Sequence, residues 1–433
     1  MTPVEIAILS IIILFLFLSL RMPVAFIMLV IGMGGYTYLT NMNAAISLAT
    51  QTLYSNFASY SLIVVPLFVW MGFIAYYSGL SSKIFDATYK IVGNLPGGLA
   101  IATVVACTAF GAICGSTTAT AATMSAVALP EMNRYNYKRS FSTAAIASSA
   151  IIGVMIPPSV IFILYGVATG ESISKLFLAG ILPGILLMVA FMVTIYIKAV
   201  RDPEAAPAGP YVPFKEKIRA LFSGGMEVVV IFVAVMGGLF GELFTPTEAG
   251  AVGVFATLAV SVARRSLSWD GFVKSLEETI RLSAMILFLV ATAFIYSRFL
   301  AITGLPTSIA SLAVEAPLPP VMVLILILFV YFLLGLFIDG LALVLMTTPI
   351  FYPVAVALGY DPIWFGVIVV LALGMGVITP PVGANVYVVA GVAKDVNVME
   401  IFSGIWPFLF AIIVCIAILI VFPQIALLFP RLL

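Results

Sequence analysis

The chain has 433 residues, 63% of them hydrophobic and only 9% charged, with a net charge of +1, no histidine and a mean hydropathy of +1.25. Soluble domains carry roughly 25% charged residues, so this composition is that of a protein of the lipid bilayer, and its near-neutral charge gives no nucleic-acid signature. Without histidine there is no Ser-His triad or histidine-held transition metal, and Cys107, Cys114 and Cys415 sit apart in apolar runs, so enzyme chemistry and cofactors are not expected.

The first apolar run, Val4 to Leu20, contains Glu5 as its single charge. With no basic leader and no small-residue cleavage site, it reads as a retained span. Nine more crossings are predicted at roughly 23–40, 61–78, 141–169, 178–197, 226–244, 248–263, 283–300, 363–393 and 404–429. The stretches 97–133 and 320–358 are too long for one span and are broken by polar residues. They read as re-entrant hairpins. With the N-terminus outside, sixteen of the nineteen Lys and Arg residues fall inside, leaving only Lys175, Arg298 and Arg431 outside. Treating either hairpin as a crossing scrambles that bias. Both termini are then outside. Arg298, near the outer end of its helix, reads as a snorkelling side chain.

A displacement of 223 residues lays the sequence on itself. Pro23, Pro96, Pro130, Pro157 and Pro158 land on Pro246, Pro319, Pro353, Pro380 and Pro381. Gly153 lands on Gly376. The fold class expected is therefore an all-α polytopic membrane protein built as an inverted-topology repeat. Residues 1–200 form the first repeat, with hairpin 97–133 and broken helix 141–169. Residues 201–222 form a cytoplasmic linker, "RDPEAAPAGPYVPFKEKIR" at its heart, and 223–433 form the second repeat, with hairpin 320–358 and broken helix 363–393.

The breaks are "GVMIPP" (Gly153–Pro158) and "GVITPP" (Gly376–Pro381). A proline pair removes two backbone donors and strands carbonyls that hydrocarbon does not solvate. Free carbonyls at a half-helix end suit Na⁺; free N–H groups at a half-helix start suit an anion. The first hairpin adds six hydroxyls between Ser116 and Ser125, with Ser116, Thr117 and Thr118 beside Gly115 at the expected tip. The second carries Asp339, a lone carboxylate in an apolar run, followed by Gly340. Asp339 lies 223 residues after Ser116 and can bind Na⁺ or take up a proton. Thr379 lies in the second break and Asn385 just beyond it. The bland alternative for Ser, Thr and Asn here is bonding to their own helix or capping it. The assignment adopted is Ser116, Gly153, Pro157, Asp339, Gly340, Gly376 and Thr379 for Na⁺, with Thr117, Thr118, Pro158, Pro381 and Asn385 for substrate.

These stretches, with "RMPVAF", "AICGSTTATAATMSAVALPEM", "FTPTEAGAVG", "GLFIDGLALVLMTTPIFYPV" and "GVITPPVGANVYV", resemble the large membrane subunit of the TRAP (tripartite ATP-independent periplasmic) transporters over essentially the whole length. The resemblance implies an elevator-type fold in a bacterial or archaeal cytoplasmic membrane. It implies a small four-helix membrane subunit and a periplasmic substrate-binding protein as partners, an organic-acid substrate such as a dicarboxylate, and symport with Na⁺. It places Ser116 and Asp339 at positions implicated in Na⁺ sites, and it alone favours Na⁺ over H⁺. A stand-alone Na⁺- or H⁺-coupled anion symporter is the alternative.

Overall fold

The computed structural model describes residues 1–220, 222, 225–394 and 396–432; the expected junction of linker and second repeat, 221–224, falls partly outside them. Among the described residues every regular element is a helix. Six helices are long and apolar enough to cross a membrane, or seven with the bent pair Arg139–Met155 and Val160–Thr169, whose halves meet at 43°.

The first half opens with α1 (Pro3–Ser19), α2 (Val24–Leu39), α3 (Met42–Phe57), α4 (Val64–Tyr77) and α5 (Leu80–Val92). Pro3 and a Thr2–Glu5 capping box start α1. The chain then rises through α6 (Gly98–Cys114), turns at Gly115 and returns through α7 (Thr117–Arg134). Next come α8 (Arg139–Ser149), the short α9 (Ile152–Met155), the Pro157–Pro158 break, α10 (Val160–Thr169) and the long α11 (Ile173–Arg201).

After α12 (Phe214–Ala220), the second half has α13 (Met226–Phe240), α14 (Pro246–Ala263), α15 (Trp269–Thr303) and α16 (Leu305–Glu315). Its hairpin is α17 (Pro320–Gly335) and α18 (Gly340–Ala357). Its broken helix is α19 (Pro362–Gly376) and α20 (Ala384–Val392), followed by α21 (Val398–Val421) and α22 (Gln424–Leu427).

The 223-residue displacement survives in the helices. Moving Thr117–Arg134 by 223 gives Gly340–Ala357, so α7 and α18 coincide at both ends. The bonds Pro157–Pro158 and Pro380–Pro381 are both cis. One element departs: α15 runs unbroken for 35 residues, whereas the matching part of the first half is divided into α3 and α4. At 1.5 Å per residue α15 is about 52 Å long, well beyond a hydrocarbon core of about 30 Å.

Three helices, α3, α5 and α16, lie outside the expected crossings, hairpins and linker. They are short and amphipathic, and α5 buries Leu80, Ile84 and Ala87 along one stripe while Lys83 and Lys90 face elsewhere. A search for long apolar runs passes over such a pattern. The expected crossing 404–429 overshoots, because α21 ends at Val421 and Pro423 follows. The linker is not a loose tether. Gly97 N–H donates to Ala206 O at 3.0 Å and Lys138 N–H to Ala205 O at 3.0 Å. Tyr137 Oη donates to Pro207 O at 2.8 Å, so the strand of linker is tied across the base of the first hairpin.

Candidate functional site

Both hairpin tips open on one cavity of about 160 Å³, on the scale of an engineered core cavity that admits benzene. Its polar lining comes from the tips: Ser116, Thr117 and Thr118 from the first, Asp339 from the second. The walls are apolar. Val154 and Ile161 come from the first broken helix, Val370 and Leu373 from α19 with Val377 just after it, Phe73 from α4 and Met285 from α15.

Each tip presents a helix N-terminus. Ser116 caps α7, its Oγ accepting from Ala119 N–H at 3.4 Å and lying 3.2 Å from Thr118 Oγ1. Asp339 caps α18, its Oδ2 accepting from Leu341 N–H at 3.0 Å. Both are favourable cap residues, and each leaves other first-turn N–H groups and the positive end of the helix dipole at the cavity. Asp339 is exposed to this space.

The tips rest on the breaks through glycine. Gly115 has φ +63°, and a Cβ there would lie 2.5 Å from Pro158 O. No other residue permits that turn and that approach together. A Cβ on Gly111 would meet Gly153 Cα at 2.3 Å, and one on Gly376 would meet Gly335 C at 2.6 Å. Each broken helix therefore crosses the first limb of its own hairpin at a glycine pair, with backbones in near contact.

A sequence profile described as "Tripartite ATP-independent periplasmic transporter, DctM component" matches residues 11–425. The chain belongs to this family. It is 34% identical over 380 residues, 88% of each chain, to the C4-dicarboxylate TRAP transporter large permease protein DctM of Pseudomonas aeruginosa. It is 33% identical over 417 residues, 95% of each chain, to the sialic acid TRAP transporter large permease protein SiaM of Vibrio cholerae. The YdaH transporter of Alcanivorax borkumensis shares the fold, with a TM-score of 0.66 at 14% identity over 88% of this chain and 90% of that one. The molecule is thus a multi-pass TRAP large permease, like the DctM and SiaM proteins it matches.

Within the permease, the residues singled out by sequence divide into two groups. Ser116, Thr117, Thr118, Asp339 and Gly340 line the cavity. Gly153, Pro157, Pro158, Gly376, Thr379, Pro381 and Asn385 do not. Gly153 packs beside Thr120 Oγ1 and Ser116 O, and Pro158 O lies against Gly115. Pro157 is buried, and Pro381 is exposed outside the cavity. Thr379 Oγ1 donates to Met375 O at 2.6 Å, the back-bonding that threonine makes in a helix. Asn385 is fully buried; its Nδ2 donates to Ala147 O at 3.1 Å and its N–H to Val377 O at 3.0 Å, while Oδ1 has no partner.

The two breaks treat their stranded carbonyls differently. Pro157 and Pro158 carry no N–H for the carbonyls of Gly153 and Val154. At the second break Thr379 N–H donates to Gly376 O at 3.2 Å, and Asn385 N–H reaches Val377 O across the gap. The lining contributed by α4 and α15 was absent from the sequence reading. These are plain apolar residues of spanning helices, and only the tertiary fold marks them.

Proposed function

We propose that this permease imports an organic acid together with Na⁺, one ion beside each helix break and the anion between the hairpin tips. What carries the reading is the convergence of the two capped helix starts, at Ser116 and Asp339, on one apolar-walled cavity. Two helix N-termini favour an anion there. Asp339 opposes it: two unit charges 4 Å apart repel by about 4 kcal/mol at an effective dielectric of about 20. A cation beside Asp339 reverses that sign. Anion binding then requires the cation, and the two fluxes are coupled at the site itself. At the first break, Ser116 and the carbonyls of Gly153 and Val154 form the second ion site. Thr117 and Thr118 donate to the substrate carboxylate.

In this proposal residues 1–200 and 223–433 are inverted repeats joined by the strapped linker. The hairpins and broken helices form a body that slides against α4 and α15 in the cytoplasmic membrane of a bacterium or archaeon, with both termini outside. A small membrane subunit completes the scaffold, and a periplasmic binding protein delivers the substrate. Support for these partners comes from the family, a component of a tripartite system by its description. Support for a carboxylate comes from the names of the dicarboxylate and sialic acid relatives.

The test is reconstitution of the permease with its small subunit in liposomes, with labelled dicarboxylates and sialic acid. Uptake requiring both the binding protein and an inward Na⁺ gradient is expected. Uptake with Na⁺ alone would replace the tripartite reading by a stand-alone symporter. Uptake driven only by a pH gradient would make Asp339 a proton carrier.

A further inference from the structure

A second cavity, of about 360 Å³, lies where α7, α8 and α20 meet, at the end of the molecule that the basic-residue bias makes cytoplasmic. Its lining includes Ser125 and Asn133 of α7, Arg139 and Ser142 of α8, and Lys394 just after α20. Ser125 is fully buried and its hydroxyl has no hydrogen-bond partner. A buried hydroxyl left without a partner in a polar cavity calls for water or a ligand. The start of α8 also opens here: its cap residue, Lys138, provides no side-chain bond to the first-turn N–H groups.

The repeat supplies a control. At the 223-residue displacement Ser125, Leu129, Arg139 and Ser142 become Thr348, Tyr352, Pro362 and Phe365, and Lys394 is the partner of Glu171. At that opposite end the same three-helix junction, of α10, α18 and α19, is filled. Tyr352 Oη donates to Glu171 Oε1 at 2.7 Å, and Tyr165 Oη donates to Pro362 O at 2.8 Å. The two tyrosine rings meet edge to face at 6.4 Å, and Thr348 Oγ1 bonds within its own helix to Val344 O. Ancestral geometry therefore does not demand a cavity. One junction is closed with aromatic rings and an acid; the other is left open, lined by small hydroxyls and Lys394.

We infer that the α7–α8–α20 junction binds a small cytoplasmic anion, a carboxylate or a phosphate. Lys394 supplies the opposing charge and the Ser125 hydroxyl a donor, beside the positive end of the α8 dipole. The cavity touches neither hairpin tip and is distinct from the central one. By joining α7 to α20, the anion links the first hairpin to the second broken helix.

The experiment is thermal unfolding of the purified full chain, titrated with inorganic phosphate or with succinate at constant ionic strength, with chloride as reference. Saturable stabilisation by at least one anion is expected, and comparing the two identifies the class. Lys394→Ala and Ser125→Ala should each weaken the apparent affinity about 5- to 10-fold, the loss of one charge-assisted or buried donor. Stabilisation by neither anion, or stabilisation unchanged in both variants, would overturn the inference. Binding lost in Thr117→Val but kept in Lys394→Ala would locate the anion in the central cavity instead. That outcome would support the proposed function while ending this one.

Discussion

At the first hairpin tip the chain turns through Gly115 and starts α7 from a hydroxyl cap, Ser116; at the second it starts α18 from a carboxylate cap, Asp339. The two caps are 223 residues apart and the helices they start have the same length, 18 residues. What the duplication preserved is the frame: a broken helix crossing its hairpin at a glycine pair, and a helix start aimed at the centre. What it left free is the charge of the cap. Only the second tip brings a fixed negative charge into the cavity. The breaks differ in the opposite direction, with the second stitched by Asn385 and Thr379 and the first without those bonds. Equivalent positions thus share a packing role and differ in chemistry, and substitutions can separate the two.

The largest effect is expected at the glycine crossings. A methyl at Gly376 would sit 2.6–2.7 Å from the Gly335 backbone, which is fixed by α17. A methyl at Gly153 would meet Thr120 Oγ1 first, at 2.9 Å, and Gly111 Cα next, at 3.3 Å, so it is relieved by a change of the Thr120 rotamer at the expense of its bond to Ser116 O, with a shift of a few tenths of an ångström at Gly111. Gly376→Ala should therefore cost about 3 kcal/mol or more and abolish uptake, and Gly153→Ala about 1 kcal/mol. Thermal unfolding in detergent beside uptake in vesicles reads both. Equal losses would mean that the two crossings are not distinguished by what faces them.

Asp339→Asn comes next and separates cap from charge. Asparagine caps a helix about as well as aspartate, so unfolding should shift by no more than about 0.5 kcal/mol. The Na⁺ concentration for half-maximal uptake should rise about 10-fold or more, because the cation loses its only carboxylate in the cavity. Unchanged Na⁺ dependence in a folded protein would remove Asp339 from the ion site.

Much of this arrangement is legible in the sequence. Paired prolines and glycines at one displacement exposed the repeat, since an imino acid in a helix and a glycine at a crossing leave few substitutes. Asp339 stood out because a lone carboxylate in an apolar run is costly. The amphipathic α3, α5 and α16 did not stand out, because hydropathy windows tuned to spans average their two faces together. Nor did the roles of Thr379 and Asn385. Both lay in the right segment, but whether a polar side chain faces a cavity or bonds its own backbone depends on a rotation of one residue about the helix axis. Phe73 and Met285 were invisible for a simpler reason: in composition they match the other apolar residues of their helices.

The smallest effect is expected at the neutral tip. Ser116→Ala removes the cap bond to Ala119 N–H, worth about 1 kcal/mol in a typical helix, less here because that bond is 3.4 Å long. It also removes one neutral oxygen from the first ion site, where the backbone carbonyls of Gly153 and Val154 remain as ligands. Na⁺ dependence should therefore shift only about 3-fold, against about 10-fold for Asp339→Asn, the difference between losing a dipole and losing a charge. Uptake at saturating Na⁺ should recover in Ser116→Ala. If it stays low while unfolding is unchanged, the hydroxyl is holding Thr118, 3.2 Å away, in place for the substrate, and the tip's role is anion recognition in place of ion binding. Ser116→Asp then discriminates further. It restores the cap and gives the first tip the charge of the second, so a Na⁺ site should tighten while an anion contact should weaken.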